Sequence, residues 1–376
     1  MADSIAETCP VCGSSTASEA AFCSRCGTNL QADPGTAAGA RALRSITDRI
    51  TDNLGLDRLE GFSLRLLFSE VFQRRTPDEM ERYLGVGTMA TTPPLRPEMG
   101  HWPRPWLFLR TLVFSLAIYL LLYYTWQRYY NINVIPALIM TGSFAMPLAT
   151  VILFFELNTP RNVSLVRVVQ LVLLGGAVSI LVSLWLFDAT KLGSWLGPPA
   201  AGIVEEIGKL AALLLLARFA RQDRYNFSLN GLLFGACIGA GFAAFESAGY
   251  ALRNGLESSS AMLHNITVRG LLAPFGHVAW TAIAACALWR ARAAGRKLTE
   301  SLTDKRFLVL FAVPVGLHVV WNLPFSGPLM IKYLILGFVA YIVIFGLVQT
   351  GLNEVRKDAE ERGRAPLDHP PTAGVE

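Results

Sequence analysis

"PPAAGIVEEIGKLAALLLLARFA", residues 198–220, sets Glu205, Glu206 and Lys209 in the middle of an otherwise apolar, helix-length run. Each such charge opposes insertion at the centre of a membrane span by about 2.5–3.5 kcal/mol. The rest of the chain shows that the run is nonetheless membrane-embedded. Of 376 residues, 52% are hydrophobic and only 16% are charged, against about 25% charged in a soluble protein. Mean hydropathy is +0.40. The first 105 residues and the last 25 are polar, and between them lie apolar runs longer than the roughly 18 residues that mark a span.

The pattern predicts an all-α polytopic membrane protein of about eight transmembrane helices, preceded by a small zinc-ribbon module. The expected spans are 106–128, 133–156, 164–187, 195–217, 228–250, 266–290, 306–324 and 331–350. The N-terminus is polar and cysteine-bearing and does not read as a secretory signal. Basic residues crowd alternate loops: Arg218, Arg221 and Arg224; then Arg290, Arg292, Arg296, Lys297, Lys305 and Arg306; then Arg356, Lys357, Arg362 and Arg364. The intervening loops are poorer, with Lys191 and Arg253 in the two longest. This bias places both termini in the cytoplasm. The +5 net charge is thereby topological, and no nucleic-acid partner is expected.

Four regions follow: a ribbon (1–30), a linker with juxtamembrane helices (31–105), the transmembrane domain (106–350) and a polar tail (351–376). In the ribbon, "CPVC" and "CSRC" supply Cys9, Cys12, Cys23 and Cys26, each pair followed by glycine. Two such knuckles close a tetrahedron of thiolates around a structural zinc, whose binding would supply the folding energy that so short a segment lacks. Disulfides or a redox pair are the competing readings; a cytoplasmic location and the two-knuckle spacing disfavour them. A cytoplasmic protein partner is a possible use of the ribbon. The linker carries a weakly amphipathic stretch (Leu43, Ile46, Ile50, Leu54), then a capping box at Thr76-Pro77-Asp78-Glu79 that predicts a helix start. Trp102 and Trp106 are expected at the membrane interface.

Beyond the opening stretch, Glu246, His277, His318 and Asn322 also lie inside expected spans. Together these groups cost on the order of 10 kcal/mol, comparable with a whole protein's stability. Glu205 and Lys209, four apart, can pair on one helical face, leaving Glu206 free. Counting from flanking arginines, Glu206, His277 and His318 lie about 18–20 Å from the inner edge, and Glu246 about 10 Å from the outer one. In a core about 30 Å thick these are one level. Two imidazoles, a carboxylate and a further glutamate make a hydrolytic metal set: His277, His318 and Glu246 as ligands of a divalent ion, most simply a second zinc, with Glu206 as general base. Asn322, one turn from His318, is placed to stabilise an oxyanion. Glu206, Glu205, Lys209 and Asn322 form the expected catalytic set. Gly231, Gly235 and Gly239 offer a small face for close helix approach. Cys237 and Cys286 read as inert buried thiols, and Pro198-Pro199 should start or kink the fourth span. His101, His264 and His369 have no assigned role.

"EEIGK" (205–209), "FAAFE" (242–246) and "HVVWN" (318–322), with His277 between the last two, resemble the motifs of the PrsW family of intramembrane proteases. That family is distantly related to the CAAX prenyl endopeptidases and bacteriocin-processing membrane proteases. The resemblance spans roughly 105–350, and parts of the N-terminal extension resemble those of some members. It implies a metal-dependent endopeptidase that cleaves membrane-anchored proteins near the outer face. In the CAAX-type relatives, glutamate and histidine activate water while the last histidine and an asparagine stabilise the oxyanion; those relatives have histidine where Glu246 sits. A metal-free glutamate mechanism is the variant this difference suggests. An ion- or proton-coupled transporter would use the same buried groups, but no second EExxK-like segment marks the repeated halves common in transporters. A third reading makes the membrane core a scaffold and the ribbon the working part.

Overall fold

In the computed structural model, residues 7–8, 15–16, 46–217, 224–292, 297–325 and 330–364 are described. Cys9, Cys12, Cys23 and Cys26, and with them the expected ribbon, lie outside these. Two-residue strands, β1 (Glu7–Thr8) and β2 (Ser15–Thr16), pair antiparallel on either side of the first CxxC. The rest is helical. Short helices α1 (46–53), α2 (Leu64–Leu67) and α3 (Pro77–Leu84) precede the long α4 (Leu107–Tyr129), α5 (Ile135–Leu157) and α6 (Leu165–Thr190). A short α7 (Leu192–Leu196) leads into α8 (Ala200–Ala217). Then come α9 (Ser228–Gly255), α10 (Ser259–Leu272), α11 (His277–Ala291), α12 (Lys305–Trp321) and α13 (Ile331–Arg364).

Among the described residues, six segments are long and apolar enough to cross a membrane, counting α10 and α11 as one. The expected spans at 195–217 and 306–324 differ. They are α8, of 18 residues with three charges inside it, and α12, of 17 residues. A 17-residue helix extends only about 26 Å, short of a hydrocarbon core about 30 Å thick. These two helices carry Glu205, Glu206, Lys209 and His318, all buried. The chain is a multi-pass membrane protein in which α8 is mostly buried among its neighbours, while α12 keeps an exposed apolar face at Leu308 and Val309. Nor is the span expected at 266–290 one helix: Pro274 lies in a 3₁₀ turn and Gly276 caps α11 with non-helical backbone (φ −104°, ψ −128°).

The centre of the bundle is α9, buried without a break from Ser228 to Ala244. Its small residues permit backbone-to-backbone approach, as the four-residue glycine period predicts. A Cβ at Gly239 would lie 2.3 Å from the His277 carbonyl oxygen on α11, and one at Gly241 only 1.9 Å from the Val172 carbonyl on α6. At Gly202 of α8 a Cβ would stand 2.5 Å from the Val319 nitrogen of α12. Close contacts of this kind fix how the helices that bear charges are set against one another.

The N-terminal segment packs over one end of the bundle. Thr76 and Glu79 form the predicted capping box at the start of α3. Trp102 and Trp106, expected to face the membrane interface, are instead buried against protein. The Trp102 indole donates to Gln349 of α13 at 2.7 Å. Glu156, near the end of α5, caps a different helix: its carboxylate accepts from the backbone nitrogens of Trp106, Leu107 and Phe108 at 2.7–2.9 Å. That satisfies the otherwise uncapped start of α4. Tyr83, whose hydroxyl burial pushes up to about 12, remains protonated and donates to the same carboxylate. Contacts of Gly100 with Arg356 and of Asp57 with Asn353 bring residues 57–100 and the later part of α13 to this one face.

Removing a charged acceptor that satisfies three backbone donors should cost about 3 kcal/mol. Glu156→Ala is therefore expected to lower the thermal midpoint of the detergent-solubilised protein by several degrees. A midpoint equal to the parent's would show that the cap of α4 is dispensable.

Candidate active site

The opposite end of the bundle holds a cavity of about 720 Å³. It is bounded by the last turns of α6, α9, α10 and α12 and the first turns of α8, α11 and α13, with Phe187, Pro198, Tyr250, Asn322 and Tyr333 in its lining. Glu205, Glu246, His277 and His318 line it. Local structure explains each placement. The Pro198-Pro199 step delays α8 to Ala200, so the two glutamates fall in its second turn. The break at Gly276 makes His277 the first residue of α11, pressed against Gly239. His318 lies in the last turn of α12, and Asn322 is that helix's C-cap.

Glu206 Oε1 accepts from Lys209 Nζ at 2.6 Å and from His318 Nδ1 at 2.8 Å. Lys209 Nζ also donates to His277 Nδ1 at 2.9 Å, which makes the other ring nitrogen, Nε2, the donor to Glu246 Oε2 at 3.0 Å. Arg269 of α10 pairs with the same Glu246 oxygen and donates to Ser247. Each imidazole thus holds a carboxylate on one nitrogen, and the ring centroids are 5.0 Å apart at 80°. Glu205 Oε2 lies between, 4.0 Å from His277 Nδ1 and 3.8 Å from His318 Nε2. It is buried and has no hydrogen-bond partner among the described residues. Trp280 stacks on His318 at 4.3 Å, and Phe242 flanks His277 at 4.9 Å.

The expected Glu205–Lys209 pair does not form. Lys209 takes Glu206, one turn of i,i+3 spacing away, because His277 supplies a second acceptor on that side and His318 completes the Glu206 oxygen. Glu206 and Lys209 are fully buried behind the cavity, whereas Glu205 faces it. The carboxylate that shares a centre with the two histidines is that of Glu205; Glu246 sits on the far side of His277. Asn322 lines the same cavity. Arg269 and Trp280 escaped the sequence reading. Arg269 left a signal, an arginine inside an apolar run eight residues before His277. Trp280 left none, since a tryptophan in a membrane helix is ordinary.

The family described as PrsW family intramembrane metalloprotease matches residues 135–348, which contain every residue of this cluster. The chain belongs to the PrsW family. No curated protein and no solved structure matches it. Membership of PrsW makes the protein an intramembrane protease, a hydrolase acting on membrane-anchored proteins, and does not favour transport.

The donor set fits the divalent ion that the family description implies. One ligand atom from each of Glu205, His277 and His318 lies within 4.8 Å of the others. Neighbouring ligands around a tetrahedral zinc stand about 3.4 Å apart, so a small contraction would suffice. Both histidines already carry the carboxylate on their outer nitrogen that orients such ligands. Glu206 and Glu246 are each paired with a cation, Lys209 and Arg269, so the carboxyl of Glu205 is the one left for an ion to engage.

Metal analysis of a chain lacking residues 1–30 would check this fit. Zinc retained by that chain should fall away in Glu205→Gln and in His318→Ala, while Glu246→Gln should weaken it about 10–100-fold. A truncated protein that binds no divalent ion would refute the site.

Proposed function

We propose that this protein hydrolyses a peptide bond of a membrane-anchored protein within the cavity, using a divalent ion held by Glu205, His277 and His318. The observation that carries this reading is the buried, unpartnered Glu205 oxygen facing the inward nitrogens of two imidazoles, each tied to a carboxylate behind it. Bound there, the ion would supply Lewis-acid chemistry, acidifying water and polarising the scissile carbonyl.

The remaining roles belong to the chain. Glu246, which lines the cavity, accepts a hydrogen bond from His277 Nε2 through Oε2, and its Oε1, engaged in neither contact, would be the base that takes a proton from water and returns it to the leaving amine. Arg269 offsets the charge of Glu246 and keeps it ionised. Glu206 holds His318 by Nδ1 and is itself held by Lys209; both act through their neighbours. Sequence alone assigned Glu206 as base and Glu246 as ligand; here Glu246, which lines the cavity, takes the part of base, Glu205 that of ligand, and Glu206, behind the imidazoles, orients His318. Asn322, at the end of α12, donates to the oxyanion. Trp280 and Phe242 wall the cluster from water and strengthen its electrostatics.

The cavity lies at the end of the bundle opposite the face where residues 57–60 and 100–106 dock on α13 and α5. With both termini cytoplasmic, as the basic loops indicate, substrates would be cut toward the outer leaflet. One contact supports a metal-free variant: Lys209 Nζ already occupies the inward nitrogen of His277. In that case Glu205 and His318 would activate water directly, and the metal analysis above separates the two.

Purified protein in detergent should cleave a model single-span substrate. Glu205→Gln is expected to abolish cleavage, and Asn322→Ala to lower kcat about 100-fold with KM little changed. Parent-like turnover by folded Glu205→Gln would reject the mechanism in both its forms.

A further inference from the structure

Residues 63–75, "SLRLLFSEVFQRR", lie beside the start of α4, far from the catalytic cavity. Hydrogen bonds of helical spacing run through α2 and continue past it, from the Phe68 nitrogen to Leu64 and from the Gln73 nitrogen to Glu70. Two apolar stripes result, each with a four-residue repeat. Leu67 and Val71 point inward and are 6% and 4% exposed. Leu64, Phe68 and Phe72 point outward and are 60%, 46% and 89% exposed. A fully displayed phenylalanine beside two further apolar side chains needs a cover.

Its surroundings indicate which cover. Phe68 packs on Phe108, the second residue of α4, with ring centroids 5.8 Å apart. The outward stripe thereby continues the lipid-facing surface of α4, where Val113, Phe114 and Leu121 are more than half exposed. Arg110, one turn into α4, reaches back to the carbonyls of Val71, at 3.3 Å, and Gln73. Its guanidinium lies 4.8 Å from the Trp106 ring, and that of Arg75 5.3 Å away. A guanidinium layer at the mouth of a span is where headgroups lie. Glu70, the one acidic residue of the stretch, is neutralised by Arg75 and Arg104. Arg65 and Arg74 are exposed, and their charge complements an anionic surface.

We propose that residues 63–75 are an interfacial anchor, with Leu64, Phe68 and Phe72 seated in the leaflet where α4 begins and Arg65 and Arg74 engaging anionic phospholipid headgroups. A short amphipathic segment lying in the interface with basic residues beside its apolar face binds membranes in this way. Pinned by Arg110 on one side and by lipid on the other, it holds the N-terminal extension flat against the membrane at the end of the bundle away from the cavity.

The test uses the full-length protein with the photoreactive residue p-benzoylphenylalanine at position 72, and at exposed position 78 as control. The protein is reconstituted in phosphatidylcholine vesicles with or without phosphatidylglycerol, irradiated and weighed by mass spectrometry. Phospholipid adducts are expected at 72 and not at 78. Phosphatidylglycerol should be captured several-fold out of proportion to its share of the bilayer, and the doubly substituted Arg65→Gln, Arg74→Gln protein should lose that preference. Both arginines are exposed, so the double variant should fold as the parent does. No lipid adduct at 72, an adduct to a second copy of the chain, or capture that merely follows lipid composition would overturn the proposal.

Discussion

Three carboxylates gathered around two histidines inside a membrane domain are the constraint around which the rest of the molecule is arranged. Glu205, Glu206 and Glu246 come from two helices; the groups that compensate them, Lys209, Arg269, His277 and His318, come from four. In an apolar medium none of these charges can be left alone, because there is no water to solvate it. The helices must therefore approach closely enough for short polar contacts, and glycines at 202, 239 and 241 make that approach possible. The break at Gly276 serves the same end, since it starts a helix at His277 with the ring against both Glu246 and Lys209.

A second set of buried polar groups lies at the other end of the bundle and is differently arranged. Glu156 spends both oxygens on the start of α4, and the amides of Asn158, Asn162 and Asn230 bond one another. Gln349 joins Trp102 to the backbone of Glu60. These groups are closed on themselves and hold the N-terminal segment in place. In the cavity, by contrast, a carboxylate oxygen and two ring nitrogens point at one another and open to a space lined by α6, α9 and α12. An arrangement whose donors and acceptors converge on a cavity can bind and react; one whose groups are all mutually satisfied cannot.

Much of the protein was legible in its residues. Long apolar runs announced membrane helices, the Thr76–Glu79 box marked a helix start, and the costly glutamates, lysine and histidines stood out because nothing in a lipid-facing helix explains them. Those groups do meet in one place. Two of the expected spans fall short of long apolar helices for different reasons, α8 because it carries three charges and α12 because its helix is 17 residues long. Hydropathy alone does not say whether such a helix is held by lipid or by its neighbours. Trp102 and Trp106 illustrate the same ambiguity, since an indole near a span end can face lipid or pack on an arginine and a glutamine.

Residue type and spacing thus settle which side chains are too expensive to be structural filler and which helices carry them. They do not settle who binds whom. Lys209 has a glutamate at i−4 and another at i−3, both within reach on the same helix; the choice of Glu206 came from His277, 68 residues from Lys209, and His318, 112 residues from Glu206. Likewise Glu205 and Glu246 exchange places as the third group beside the histidines according to the rotation of α8 and α9 about their axes. That rotation is set by backbone contacts at glycines, a cooperative property of the packed bundle that no single segment encodes.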